Sequence, residues 1–351
     1  MKKIATKTIA GREIGPAMPP YIVAELSGNH MGDINRAIRL MDEAKKAGAD
    51  AVKLQTYTPD TMTIDHDGLG FVLEDTIWRG RTLYDLYQEA QTPWEWHETL
   101  FEKGKELEIT VFSTPFDCSA VDFLEKFSPP AYKIASFEIV DLPLIRRVAE
   151  TGRPLIISTG MAGTSEIGEA VDAAREGGCG DLFLLHCVSG YPTPPEDSNL
   201  RTLRDLAERF DVMAGLSDHT LGISVALASV ALGAAIIEKH VTLKRSDGGP
   251  DAAFSLEFHE LRELVDGTRT AWRALGEVNY DCKPSEEALM DYRRSLYVVE
   301  DMAAGERFSP QNVRSIRPGY GLPPKHLSDV LGQQAKTDIK RGTPLSWDLV
   351  G

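Results

Sequence analysis

The 351-residue sequence predicts a (β/α)8 barrel followed by a small C-terminal domain. Three observations predict it. Eight short, β-rich apolar runs recur along the chain up to His240, helix-period segments fill the gaps between them, and a polar tract then ends the pattern. The runs are nearly continuous in apolar residues rather than alternating, as strands of a parallel sheet covered on both faces must be. Successive runs start 21–30 residues apart, except for one interval of 59, which suits a strand, a helix and two loops.

The first run is YIVAE from Tyr21. The helix after it, NRAIRLMDEAKKAG, can be capped by Asp33 and ended by Gly48. AVKLQ from Ala51 precedes the long interval and a helix over 93–107. TVFST from Thr110 precedes 119–127, AYKIAS from Ala131 precedes 142–151, and LIISTG from Leu155 precedes 165–176. LFLLHC from Leu182 leads to 199–210, VMAGLSD from Val212 to 222–232, and AIIEKH from Ala235 to Phe258–Leu275. An open doubly wound sheet is the alternative. It needs a glycine-rich first turn, and LSGNHMGD after Glu25 lacks the dinucleotide spacing. The predicted organisation is a barrel over 1–276 with an N-terminal extension, a polar linker over 277–292 and a turn-rich domain over 293–351. At that size the last domain is expected to dock onto a partner surface.

Composition narrows the function. Lys and Arg total 38 against 53 Asp and Glu, a net charge of −15, which argues against nucleic-acid or anionic-membrane binding. An anionic substrate then needs a local positive pocket. Four cysteines without a C-x-x-C pair disfavour disulfides and thiolate zinc, so a reducing cytoplasm is expected. MKKIATKTIAGREIG has no apolar core of a signal peptide, and the longest apolar run, of 13 residues, is too short to span a bilayer.

Barrel active sites gather at the C-terminal strand ends. Here those ends carry Glu25, Lys53 with Gln55, Ser113 with Thr114, Lys133 with Ser136, Ser158 with Thr159, His186, Ser217 with Asp218 and His219, then Glu238, Lys239 and His240. His219 and His240 end neighbouring strands and suit a divalent metal with open positions, or are two unrelated polar histidines. Asp218 either orients His219 or stabilises its turn. His186 reads as a core residue, and His30 orders its loop or reacts. Lys53 and Lys133, with Ser136, Ser158, Ser189 and Ser217, suit a phosphate and a carboxylate together. A Schiff-base lysine and plain rim salt bridges are the alternatives. In the long interval, Trp78, Tyr84 and Tyr87, with Trp94 and Trp96 after them, either pack on a sugar or form their own small core. No P-loop, G-x-S-x-G or H-E-x-x-H occurs.

The motifs VAELSGNHMGD, KKAGADAVKLQTYTPD, FSTPFD, YKIASFE, ISTGM, LHCVSGYPTP, GLSDHT, IEKHVTL and RPGYGLPP resemble, in order, those of the sialic acid synthases. TYTPD, IWRGRTLYDLYQEAQTPWEW and GGPDAAFSLEF, with Phe258 where N-acetylneuraminate synthases tend to have proline, resemble the pseudaminic acid branch. The resemblance implies a barrel joined to an antifreeze-like (SAF-type) domain. It implies condensation of phosphoenolpyruvate with an open-chain amino sugar, 2,4-diacetamido-2,4,6-trideoxy-altrose, giving a nine-carbon 2-keto acid and phosphate. It also implies that His219 and His240 hold a divalent ion, manganese foremost, with magnesium or cobalt as alternatives. Phosphoenolpyruvate would be bound by Lys53, Thr114, Lys133, Ser136, Ser158, Ser189 and Ser217, with Gln55 as an addition. Glu25 would be the acid–base group. Glu138, Tyr191 and Asp251 would contact the sugar, and Arg317 would reach its acyl group from the other protomer of a homodimer. The same chemistry on N-acetylmannosamine or a legionaminic precursor is the near alternative. A non-catalytic carbohydrate- or ice-binding protein is the distant one.

Overall fold

The computed structural model describes residues 6–74 and 77–351, and the chain divides into two compact units, Met1–Gly276 and Glu277–Gly351. Eight parallel strands form the first unit: β1 Tyr21–Glu25, β2 Ala51–Thr56, β3 Thr110–Pro115 and β4 Tyr132–Ile134. β5 Leu155–Ser158, β6 Leu182–Cys187, β7 Met213–Asp218 and β8 Ile236–Thr242 follow. Each pairs with the next, and β8 pairs with both β7 and β1, so the sheet closes into a barrel. The helices around it are α1 Ile34–Ala47, α2 His97–Glu106, α3 Cys118–Leu124, α4 Leu142–Ala149, α5 Thr164–Glu176, α6 Thr202–Phe210, α7 Ser224–Ala231 and α8 Phe258–Leu275. Asp33 caps α1 by accepting from the Asn35 amide, and Gly48 ends it with φ +90°, a conformation that glycine adopts at little cost.

Strand parity decides what faces inward, because successive side chains point to opposite faces. Tyr21, Val23, Ala51, Phe112, Ala131, Ile156, Phe183, Leu185, Met213 and Ile236 fill the lower interior. Their outward neighbours, such as Ile22, Ala24, Val52, Leu54, Ile157 and Ile237, pack under the helices. A hairpin of Lys7–Ile9 and Arg12–Ile14 adds Ile9 and Ile14 to the interior cluster and closes the lower end. The segment expected only as an N-terminal extension is thus part of the barrel's core.

Within the long interval the residues form two short helices, Pro59–Met62 and Leu83–Ala90. Among the described residues its tryptophans do not form a core of their own but pack on residues outside the interval. Trp94 stacks on Phe123 and Trp96 meets His30 edge-on, whereas Trp78 lies 5.8 Å from the Tyr191 ring. Among the described residues no helix is long and apolar enough to cross a membrane.

In the second unit, β9 Ser295–Val298 pairs antiparallel with β10 Val313–Ile316. Leu296, Val298, Met302, Phe308, Val313, Val330, Ala335, Ile339, Leu345 and Val350 make its core. Most of residues 277–292 are exposed, and none joins that core.

Candidate active site

Climbing each strand, the inward positions change from apolar to polar. Val23 gives way to Glu25, Ala51 to Lys53, Phe112 to Thr114, Ile156 to Ser158 and Ile236 to Glu238. The upper interior is therefore a buried polar chamber, and the same period-2 rule that builds the core below supplies its side chains.

Lys53 is its hub. Its Nζ lies 2.6 Å from Glu25 Oε2, donates to Thr114 Oγ1 at 3.1 Å, and stands 3.7 Å from Glu238 Oε1. Lys133 Nζ donates to Ser158 Oγ at 2.7 Å and lies 3.9 Å from the same Glu238 oxygen, to which Ser217 Oγ donates at 3.3 Å. Two ammonium groups thus face two carboxylates. Burial pushes Glu25 up to about 7, against the pull of Lys53 and with the push of Glu238. Burial acts on Glu238 too, but Lys133 and Lys53 together hold its carboxyl below the ordinary range. One carboxyl is left free to exchange a proton near neutrality while its neighbour stays ionised, an arrangement that separates acid–base from electrostatic roles. Ser136 Oγ accepts from the Gly160 amide at 3.1 Å, and the buried Ser189 hydroxyl faces the same backbone, where a Cβ would collide with both oxygens.

A second cluster lies at the ends of β7 and β8. The His219 and His240 rings are 5.3 Å apart. His219 Nδ1 donates to the Val188 carbonyl at 2.9 Å, so Nε2 carries the lone pair whenever the ring is neutral. Burial lowers this imidazole, but Cys187 and the Val188 carbonyl outweigh it and raise His219 above its ordinary value. His240 Nδ1 is buried without a hydrogen-bond partner, 3.8 Å from Asp251 Oδ2. Burial, with His219 and Lys53 adding to it, drives the His240 imidazole well below its ordinary value and keeps it neutral. Tyr191 and Phe254 wall this cluster, with the Tyr191 ring 4.5 Å from His219 and the Phe254 ring 5.0 Å from His240. Gln55 donates its amide to Glu25 Oε1 at 2.8 Å and to Ser27 Oγ at 3.1 Å, and Ser27 donates to Asp251 Oδ2. Gln55 therefore links the two clusters.

Burial also lifts the Glu138 carboxyl to about 7, with Lys133 and Lys53 pulling against it. Arg317 belongs to the second unit, directly after β10, and is exposed. Asp218 does not touch His219. Its parity turns it outward, where it pairs with Lys239 and accepts from the Thr220 amide, so of the two readings of Asp218 the turn is the correct one. Ser113 is likewise turned outward and bonds Thr56, which bonds His97 of α2. His186 is buried against the Ser198 carbonyl, and His30 Nδ1 accepts from the Gly32 amide within its loop while its Nε2 bonds the distant Thr92 hydroxyl. Glu238 and Ser27 are site residues beyond the binding and catalytic set expected from the sequence. The signal for Glu238 is its i, i+2 relation to His240, which puts both on one face of β8.

A closed eight-stranded parallel barrel with this chamber at its C-terminal rim is an enzyme of the (β/α)8 class. The chain belongs to the NeuB family, whose profile matches residues 40–280, and residues 293–351 match the SAF domain. Pseudaminic acid synthase of Helicobacter pylori is 44% identical over 331 residues, 94% of this chain and 97% of that protein. N,N'-diacetyllegionaminic acid synthase of Legionella pneumophila is 36% identical over 341 residues, 95% of each chain. The crystal structure of N-acetylneuraminic acid (sialic acid) synthetase from Leptospira borgpetersenii, in complex with citrate, superposes with a TM-score of 0.72 at 34% identity. That match covers 82% of this chain and 95% of that one.

Proposed function

We propose that the enzyme condenses phosphoenolpyruvate with open-chain 2,4-diacetamido-2,4,6-trideoxy-altrose, releasing phosphate and a nine-carbon 2-keto acid. The observation that carries this reading is the buried pair Lys53 and Lys133, ringed by hydroxyls and set beside the His219–His240 pair. In an acidic protein, such a pocket concentrates charge for a multiply anionic substrate.

In this reading Lys53, Lys133, Thr114, Ser136, Ser158, Ser189 and Ser217 hold the phosphate and carboxylate. Gln55 orients Glu25 from beside them. Glu138, Tyr191 and Asp251 receive the sugar. His219 and His240 would hold a divalent ion, manganese foremost, with magnesium or cobalt as alternatives. The neutral His240 ring with its orphaned Nδ1, 5.3 Å from the His219 ring, fits that group, and among the described residues no further His, Cys, Asp or Glu completes a closed site. When bound, such an ion supplies Lewis acidity toward the aldehyde oxygen.

The chain's own residues do the rest. As the alkene carbon attacks the aldehyde carbon, Glu25 gives its proton to the oxygen that becomes a hydroxyl. Glu238, held ionised, stabilises the oxocarbenium centre left behind. Water adds there and returns a proton to Glu25. The tetrahedral intermediate then breaks its C–O bond to phosphate, and its hydroxyl proton leaves with the phosphate.

The greater identity to the pseudaminic relative than to the legionaminic one supports the sugar assignment. N-Acetylmannosamine and the legionaminic precursor are the alternatives. The test is phosphate release with manganese across these sugars. Faster turnover of N-acetylmannosamine overturns the sugar assignment. Full activity of His219→Ala or His240→Ala in chelator-treated buffer overturns the metal assignment.

The reading extends to a cytoplasmic homodimer. Phe137, Val140, Met161 and Leu221 lie on loops at the C-terminal rim and are 59–63% exposed, and a second copy would cover this apolar collar. Arg317 would then reach the sugar's acyl group in trans.

A further inference from the structure

Ser27 carries a feature that the proposed reaction does not use. It has φ +45°, in the left-handed region, although it is not glycine, and it is 3% exposed. A non-glycine residue in that region is strained, and such strain persists only where the surroundings over-determine it. They do so here. Leu26 donates its amide to the Lys53 carbonyl at 3.1 Å. A Cβ at Gly28 would collide with Pro250 and Ala90, so the turn is packed tightly on its other side as well. Glycine at position 27 would relieve the strain. What glycine would lose is the hydroxyl.

That hydroxyl has both its bonds assigned. It accepts from Gln55 Nε2 at 3.1 Å and donates to Asp251 Oδ2. The same Gln55 nitrogen donates to Glu25 at 2.8 Å, and the same Asp251 oxygen lies 3.8 Å from His240. Asp251 sits on an irregular segment just before the short helical turn Ala252–Phe254, so no strand fixes its side chain.

We infer that Ser27 is a positioning residue for the sugar site, its strained turn aiming the Asp251 carboxylate across the gap between the Glu25 and His240 clusters. This rests on the reading that Asp251 contacts the sugar. Ser27 acts through Asp251 and Gln55 and touches neither reacting atom.

The experiment compares Ser27→Gly, Ser27→Ala and Asp251→Asn with the wild type. The assay uses phosphoenolpyruvate, manganese and whichever of the three hexosamine substrates the wild type turns over fastest. Ser27→Gly is expected to melt within about 2 °C of the wild type, because relief of strain offsets the lost bonds. Its kcat/KM for the sugar should fall about tenfold or more, with the KM for phosphoenolpyruvate changed less than about twofold. Ser27→Ala should show the same kinetic split with a lower melting temperature, since it keeps the strain. If Ser27→Gly keeps its sugar kcat/KM while Asp251→Asn loses it, this inference falls and the Asp251 reading stands. If Asp251→Asn leaves the sugar kcat/KM unchanged, both fall. Equal losses for both substrates together with a large drop in melting temperature would make the hydroxyl a structural support and would also overturn the inference.

Discussion

Lys239 Nζ lies 3.0 Å from Asp218 Oδ2 and 2.6 Å from the Thr220 carbonyl, with both side chains almost wholly removed from solvent. The two residues are register partners on β7 and β8. They face outward from the barrel, and the chain neighbours His219 and His240 belong to the chamber. One buried ammonium therefore ties the residues on both sides of His219 to the strand that carries His240. Lys239→Met is expected to destabilise the protein by about 3–5 kcal/mol, because it strands a buried carboxylate. Adding Asp218→Asn should recover part of that loss. Urea unfolding of the two single variants and the double variant checks this, and simple additivity would show the pair to be uncoupled.

Glu138 makes stability depend on pH. Its carboxyl is raised by burial from 4.5 to about 7, so the folded protein holds this proton more tightly than the unfolded chain. The resulting contribution is intact below about pH 4.5 and is lost as pH rises to about 7, after which the deficit is constant. Glu138→Gln removes the titration. Relative to wild type, the variant should gain little at pH 4.5 and up to about 3 kcal/mol at pH 8. Denaturant melts at the two pH values measure the difference, and a gain that does not grow with pH would contradict it.

Lys133→Met should weaken phosphoenolpyruvate more than sugar. Its ammonium is held by Ser158 and lies near Glu238, so its loss removes a counter-charge from the anion pocket at a cost of about 2–5 kcal/mol. Steady-state kinetics should show the KM for phosphoenolpyruvate rising while that of the sugar changes little. Lys53→Met should act in the same direction, with an added loss of stability because Glu25 loses its ammonium partner and Glu238 keeps only Lys133. A shift confined to the sugar's KM would contradict the anion pocket.

Reciprocal completion of sites in a dimer can be tested by complementation. Glu25→Ala and Arg317→Ala chains, each inactive alone, are unfolded and refolded together. Random pairing makes half of the dimers mixed, and each mixed dimer has one site with both residues intact. About a quarter of wild-type activity should return. No recovery, with mixed dimers confirmed by mass, would exclude action in trans.

Much of the barrel is legible in the sequence because its signal is local. β1 and β6 match the apolar runs YIVAE and LFLLHC, and α8 matches its periodic segment to the residue, since burial on both sheet faces and a 3.6-residue period are written in neighbouring residues. The strand-end lysines, acids and histidines are legible for the same reason. The sequence by itself thus determined which residues reach the rim of the barrel. Only the tertiary structure decided which of them meet. Parity divides Asp218 and Lys239 from Ser217, Glu238 and His240, although all five stand at the same two strand ends. Glu238 becomes the shared counter-charge of Lys53 and Lys133 only when β8 closes onto β1, a contact spanning more than 180 residues of chain. The positive φ of Ser27 depends on the same closure, because Gln55 holds the turn from one distant segment and Pro250 with Asp251 from another. Charge pairing and backbone strain are properties of groups brought together in space, and no periodicity along the chain encodes them.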